Sequence, residues 1–135
     1  MKKMIYLGII LGIISFVTPA KAQVAVSVNL NIQPDWGPSG YDYVEYYYLP
    51  EIDVYFDVVN KRYVYWENNA WVHKSKLPSR YANVDMNKTY KVVMNNKNPW
   101  NSHASDKAKY SKYAKDRSQV SIKDKKKNTK KSKKK

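Results

Sequence analysis

Glu51, Asp53 and Asp57 recur at even spacing along "EIDVYFDV" and are the side chains of this sequence best placed for acid–base chemistry. On an extended segment Asp53 and Asp57 stand ~13 Å apart, beyond the ~5–9.5 Å that separates the carboxylates of glycoside hydrolysis. Glu51 and Asp53, at ~6.6 Å, match an inverting spacing. Raising the pKa of one carboxyl takes an apolar surround, which the neighbouring residues do not supply, and Glu51 follows Pro50 directly. The three carboxylates therefore read as a solvated strand face that discourages edge-to-edge pairing. The D-x-D-x-D-G order of a calcium loop is missing. His73 falls in a hairpin and His103 in a polar segment, and both read as surface imidazoles. There is no H-E-x-x-H, no G-x-S-x-G, no glycine-rich phosphate loop and no dinucleotide fingerprint. The expectation is a non-enzymatic chain without cofactor or metal.

Aromatic residues are the second chemical resource. "YDYVEYYYLP", residues 41–50, holds five tyrosines in its first eight positions. A strand there puts Tyr41, Tyr43, Glu45 and Tyr47 on one face and Asp42, Val44, Tyr46 and Tyr48 on the other. With Trp36 nearby, Tyr41, Tyr43 and Tyr47 form a candidate stacking face for a glycan or peptide. The competing use is a core. A domain of about 80 residues buries only ~60% of its unfolded surface, and aromatics that bury ~150–250 Å² each help to make that sufficient. The core use is the leading expectation and the ligand face the second.

The surrounding pattern is one of short strands. "VAVSVNLNI", residues 24–32, alternates with period two, as a half-buried strand does, and "QPDWGPSG" reads as a loop. Ile52, Val54, Phe56 and Val58 alternate with Asp53, Tyr55 and Asp57, and two further aromatic strands follow. Asn tolerates left-handed backbone, so Asn68-Asn69 is expected to make a two-residue hairpin turn that pairs Trp66 with Trp71. Around Asn60 a two- or three-residue loop fits, and the choice decides which face Val64 and Trp66 join. "TYKVVM", Thr89 to Met94, reads as the last strand. The predicted fold is mainly β: a small antiparallel meander sheet or open barrel of 5–6 short strands, with a disordered or weakly helical C-terminal tail.

Charge divides the chain. The formal net charge is +14. Residues 23–102 carry eight basic and eight acidic side chains, whereas residues 103–135 carry fourteen and three. At the N-terminus, Lys2-Lys3, an apolar run from Ile5 to Val17 and "PAKA" have the layout of a signal peptide over residues 1–22. The run falls short of the ~20 residues of a membrane span. The expected domains are thus 1–22 signal peptide, 23–102 aromatic β domain and 103–135 basic low-complexity tail, in a periplasmic or secreted protein. With no cysteine in the sequence, packing alone must hold the fold. The polyanion-binding candidates are Lys107, Lys109, Lys112, Lys115, Arg117, Lys123, Lys125, Lys126, Lys127, Lys130, Lys131, Lys133, Lys134 and Lys135. The expected partners are anionic envelope polymers or lipid headgroups, with a protein partner or non-specific nucleic acid as alternatives. Sequence-specific nucleic-acid reading lacks a motif.

"WGPSGYDYVEYYYLPEIDVYFDV", "YVYWENNAWVHKSKLPSRY" and "YKVVMN" together resemble a family of small uncharacterised exported proteins of Gram-negative bacteria. The shared pattern is W-G-P-x-G-Y-D-Y, a tyrosine strand ending in L-P or M-P, an aromatic hairpin before a second L-P, and a Lys/Tyr-rich segment such as "KAKYSKYAK". The resemblance covers residues 24–122 and implies export, the domain extent and the fold class; it carries no activity. The chain differs in having Asn-Asn at the hairpin turn, where Asn-Gly is usual, and in its final polylysine stretch.

Overall fold

The computed structural model describes Asn29 and residues 31–134. The signal-peptide reading and residues 24–28 and 30 of the expected first strand lie outside the described residues. Asn31 and Ile32 belong to a turn, so the strand read over 24–32 does not continue through them.

Among the described residues five short strands form one antiparallel open sheet: β1 Tyr46–Leu49, β2 Val54–Asp57, β3 Arg62–Glu67, β4 Ala70–Lys74 and β5 Val92–Met94. Their spatial order is β4-β3-β2-β1-β5. Four strands are thus a meander, and the fifth returns across residues 75–91 to pair with β1 (Tyr47 opposite Val93). The β3–β4 turn is as expected. Asn68 and Asn69 have φ of 51° and 60°, and Trp66 stands opposite Trp71. The loop around Asn60 is longer than expected, because Asp57 pairs with Arg62 across four residues. Asp57 closes it by accepting from Asn60 N and Nδ2, each at 2.8 Å. An even loop keeps Val64 on the face of Tyr55, and the two are partners.

Period-two alternation splits the buried side chains between two faces. Tyr47, Leu49, Val54, Phe56 and Tyr65 pack on one side with Val44, Ile52 and Val58, under Trp36, Leu77, Tyr81, Val84 and Met86. Tyr48, Tyr55, Val64 and Met94 pack on the other, under Trp100 and Tyr110. That second cover corrects two expectations. The Asp53–Asp57 face is not solvated, since Tyr55 and Asp57 are buried. Nor is the C-terminal region disordered: helix α1 spans His103–Tyr110 and helix α2 spans Ile122–Ser132. The physical reason lies in the spacing of Trp100, His103, Asp106 and Tyr110, which sets one helical stripe against the sheet inside a segment whose average composition is lysine-rich. Helix α2 starts at Ser121, whose Oγ accepts from Asp124 N at 3.1 Å and donates to Asp124 Oδ2 at 2.8 Å. This is a cap with the Ser-x-x-acid spacing.

Candidate functional site

Helix α2 is fixed to the segment before β1 by main-chain bonds. Ser39 N donates to Val120 O, Ile122 N to Gly37 O and Lys123 N to Asp35 O, each at 2.9 Å. The last two satisfy amides that a helix N-terminus otherwise leaves unpaired. Lys126 Nζ adds a 2.8 Å bond to Asp35 Oδ1, and this contact holds the Asp35 carboxyl below its usual range. Such an exposed ion pair stabilises little by itself, so the backbone bonds position the helix.

Docking this way leaves a cleft of about 610 Å³ between α2 and residues 31–41. Lys125, Lys126, Lys130 and Lys133 line one wall together with Ile122 and Thr129. The other wall holds Asn31, Gln33, Asp35, Ser39, Gly40 and Tyr41. Gln33 is buried and organises this wall: its Nε2 donates to Tyr41 O at 3.0 Å and its Oε1 accepts from the Tyr47 hydroxyl at 3.1 Å. Four lysines facing one aspartate give the cleft a positive field, with a 42% exposed tyrosine ring at its edge. Chemically it can hold an anion by several ammonium contacts.

The expected aromatic face does not assemble. Tyr47 is fully buried, and Trp36 is half-buried with its ring 4.9 Å from Phe56 and 5.7 Å from Tyr47. Both belong to the core, because β1 begins only at Tyr46 and turns Tyr47 inward. Burial pushes the Tyr47 hydroxyl well above its ordinary pKa. Tyr43 is half-buried and donates to Glu45 Oε1 at 2.9 Å. Of the four residues, Tyr41 alone faces the cleft.

The basic candidates also divide. Lys107 pairs with Asp53 at 3.1 Å and Arg117 with Glu51 at 2.8 Å, so two carboxylates of the expected acid–base set hold the C-terminal region to the sheet. Lys109 and Lys112 lie over the rings of Tyr110 and Tyr113 at 5.0 and 5.1 Å. Lys115, Lys123, Lys127, Lys131 and Lys134 are exposed outside the cleft wall, and Lys135 lies outside the described residues.

His103, expected on the surface, is instead part of a polar network under α1. Its Nε2 is 3.2 Å from Asp53 Oδ2 and its Nδ1 3.3 Å from the Tyr55 hydroxyl. Tyr55 donates to Asp106 Oδ2 at 2.8 Å, and Tyr48 to Asp53 Oδ1 at 2.7 Å. Burial first, and then these carboxylates, drive both phenols well above their ordinary pKa. The stripe Trp100-His103-Asp106-Tyr110 was the sequence signal for this layer. Among the described residues no cluster of three or more His, Asp or Glu could hold a metal ion, and no helix is long and apolar enough to cross a membrane. Comparison with protein-family models, with curated proteins and with solved structures finds no match for the chain.

Proposed function

We propose that this is a non-enzymatic, exported envelope protein that holds phosphate-bearing lipid headgroups in the cleft between α2 and residues 31–41. The observation that carries this reading is the convergence of Lys125, Lys130 and Lys133 on one recessed wall, on a helix that backbone bonds hold in place. Lys126 is already committed to Asp35, which leaves three ammonium groups for a ligand on that wall. A recess bounded by Tyr41 and Ser39 suits a compact phosphorylated group, and the remaining α2 lysines supply longer-range attraction that salt screens. Export rests on the signal-peptide layout and on the resemblance to exported proteins.

The test compares two triple variants of equal charge in the mature chain. Lys125→Gln/Lys130→Gln/Lys133→Gln removes the cleft lysines, and Lys127→Gln/Lys131→Gln/Lys134→Gln removes lysines outside it. At ~1 kcal/mol per lysine, the cleft triple weakens co-sedimentation with phosphatidylglycerol vesicles or with lipopolysaccharide by about a hundredfold. The outer triple costs distinctly less. Equal losses in the two triples overturn the cleft reading, and so does tighter binding to a single-stranded oligonucleotide than to either lipid.

A further inference from the structure

A second cleft, of about 450 Å³, opens on the sheet face that α1 covers. Its volume lies within the ~300–1,000 Å³ of small-ligand sites. Three of the chain's four tryptophans line it: Trp66, Trp71 and Trp100. Trp66 is 52% exposed near the end of β3, beside the Asn68-Asn69 turn. Its ring meets that of Trp71 at 5.4 Å and 70°, so the two indoles form a corner at the cleft wall. The core does not need this ring, because Val64 and Tyr55 fill the same face of the sheet beneath it. An indole left half-open at the wall of a recess offers a ligand a flat apolar surface to stack on.

The polar edge of the cleft identifies the ligand class. Asp53, Asn101, His103 and Lys107 surround the indoles. Asp53 sits in left-handed backbone with φ of 59°, and its carboxylate is fixed by Tyr48 at 2.7 Å, by Lys107 at 3.1 Å and by proximity to His103 Nε2 at 3.2 Å. Strain held in place at the rim of a pocket is a recurring property of binding sites. The carboxylate and the ammonium balance each other, so the site favours neither sign of charge. A quaternary ammonium, the usual guest of an aromatic cage, would have to displace Lys107. A simple anion would meet Asp53. What suits an indole corner with a carboxylate, an amide and an ammonium at its edge is a neutral ring with one C–H face and a periphery of hydroxyls. Such a molecule uses each polar group as donor or acceptor without burying a net charge.

We propose that the Trp66–Trp71–Trp100 cleft binds a neutral saccharide, with a pyranose face stacked on Trp66 and hydroxyls bonded to Asp53, Asn101 and Lys107. This site is separate from the lysine cleft and does not depend on it.

The experiment titrates the mature chain with maltose, cellobiose and N,N′-diacetylchitobiose, following tryptophan emission and the amide resonances of residues 66–71 and 100–107. Tetramethylammonium chloride and sodium acetate serve as the cationic and anionic comparators. At least one disaccharide is expected to saturate the signal while both comparators leave it flat. Trp66→Ala and Asn101→Ala should each weaken that saccharide by about tenfold, the upper range of one aromatic contact and of one neutral hydrogen bond respectively. Trp66→Ala also loses its contact with Trp71, so a cooperative thermal transition and unchanged amide resonances away from β3 and β4 verify the fold of each variant. The cleft triple Lys125→Gln/Lys130→Gln/Lys133→Gln should bind the saccharide normally. Saturation by tetramethylammonium or acetate overturns the proposal, as does no response to any of the three sugars, or saccharide binding that survives Trp66→Ala undiminished.

Discussion

The Tyr55 hydroxyl donates to Asp106 Oδ2 at 2.8 Å, joining the centre of β2 to the first turn of α1. This bond forms beneath a fully buried ring, where water competes poorly for the carboxylate. Tyr55→Phe leaves Asp106 without that donor and should cost about 1.5–3 kcal/mol, the worth of a hydrogen bond to a charged group. Amide exchange over residues 103–110 should accelerate more than exchange in β3. Unchanged unfolding free energy with unchanged exchange in α1 would show that the helix is held by its apolar stripe alone.

Gly37 occupies a place that no side chain fits. A Cβ there would lie 2.6 Å from Tyr47 Oη and 3.0 Å from Pro34 O, and Gly37 O also accepts from Ile122 N at the start of α2. Gly37→Ala should therefore destabilise by about 1–3 kcal/mol, as overpacking does. Tyr47→Phe removes the nearest atom of the clash. The two substitutions should then be non-additive in urea unfolding, with the double variant more stable than the sum of the singles implies. Strict additivity would place the strain on Pro34 instead.

Much of the sheet was legible in the sequence, because its signals are local. Ile52–Val58 alternate in one segment, and Asn68-Asn69 are the residues that accept the turn they make. The register that brings Trp66 opposite Trp71 follows from that turn alone. The return of β5 to β1 across residues 75–91 was not legible, because no local pattern encodes a pairing over that distance. The lysine-rich region hid its structure for a different reason. Averaged composition masks a stripe of four residues, so Trp100, His103, Asp106 and Tyr110 disappeared among lysines, and Ser121 was not read as a cap. The lysine cleft joins Tyr41 to residues more than 80 positions later in the chain, which only the folded arrangement brings together.

The Asn68-Asn69 turn carries a removable cost. Both residues lie in the left-handed region, where a side chain costs roughly 1–2 kcal/mol for most residue types and less for Asn. A type I′ turn prefers glycine at its second position. Asn69→Gly should stabilise the protein by about 0.5–1 kcal/mol, whereas Asn69→Val should destabilise it by more than that. Thermal unfolding reads both directions. A loss of stability in Asn69→Gly would mean that the Asn69 side chain contributes more than its backbone costs.

Lys91 should give the protein an alkaline stability maximum. It is only 2% exposed, and burial pushes its ammonium down to about 8 from 10.5, against the opposing pull of Asp85 and Asp124. Below about pH 8 both folded and unfolded chains keep this proton, and the cost of a buried charge is fully present. Between about 8 and 10.5 the unfolded chain holds a proton that the folded chain has released, so stability rises with pH in that window. The buried phenols of Tyr47, Tyr48 and Tyr55 act in the opposite sense. Their folded pKa values are raised from 10.0, so above about pH 10 the unfolded chain loses protons that the folded chain retains, and stability falls. Urea unfolding should therefore show a gain from neutral pH to about 9.5 and a steep loss beyond 10. Lys91→Met should raise stability at neutral pH by about 1–3 kcal/mol and flatten the rising limb while leaving the alkaline loss in place. A wild-type profile that declines steadily from neutral pH, or a variant that keeps the full rise, would remove Lys91 from the account and leave the tyrosines as the alkaline determinant.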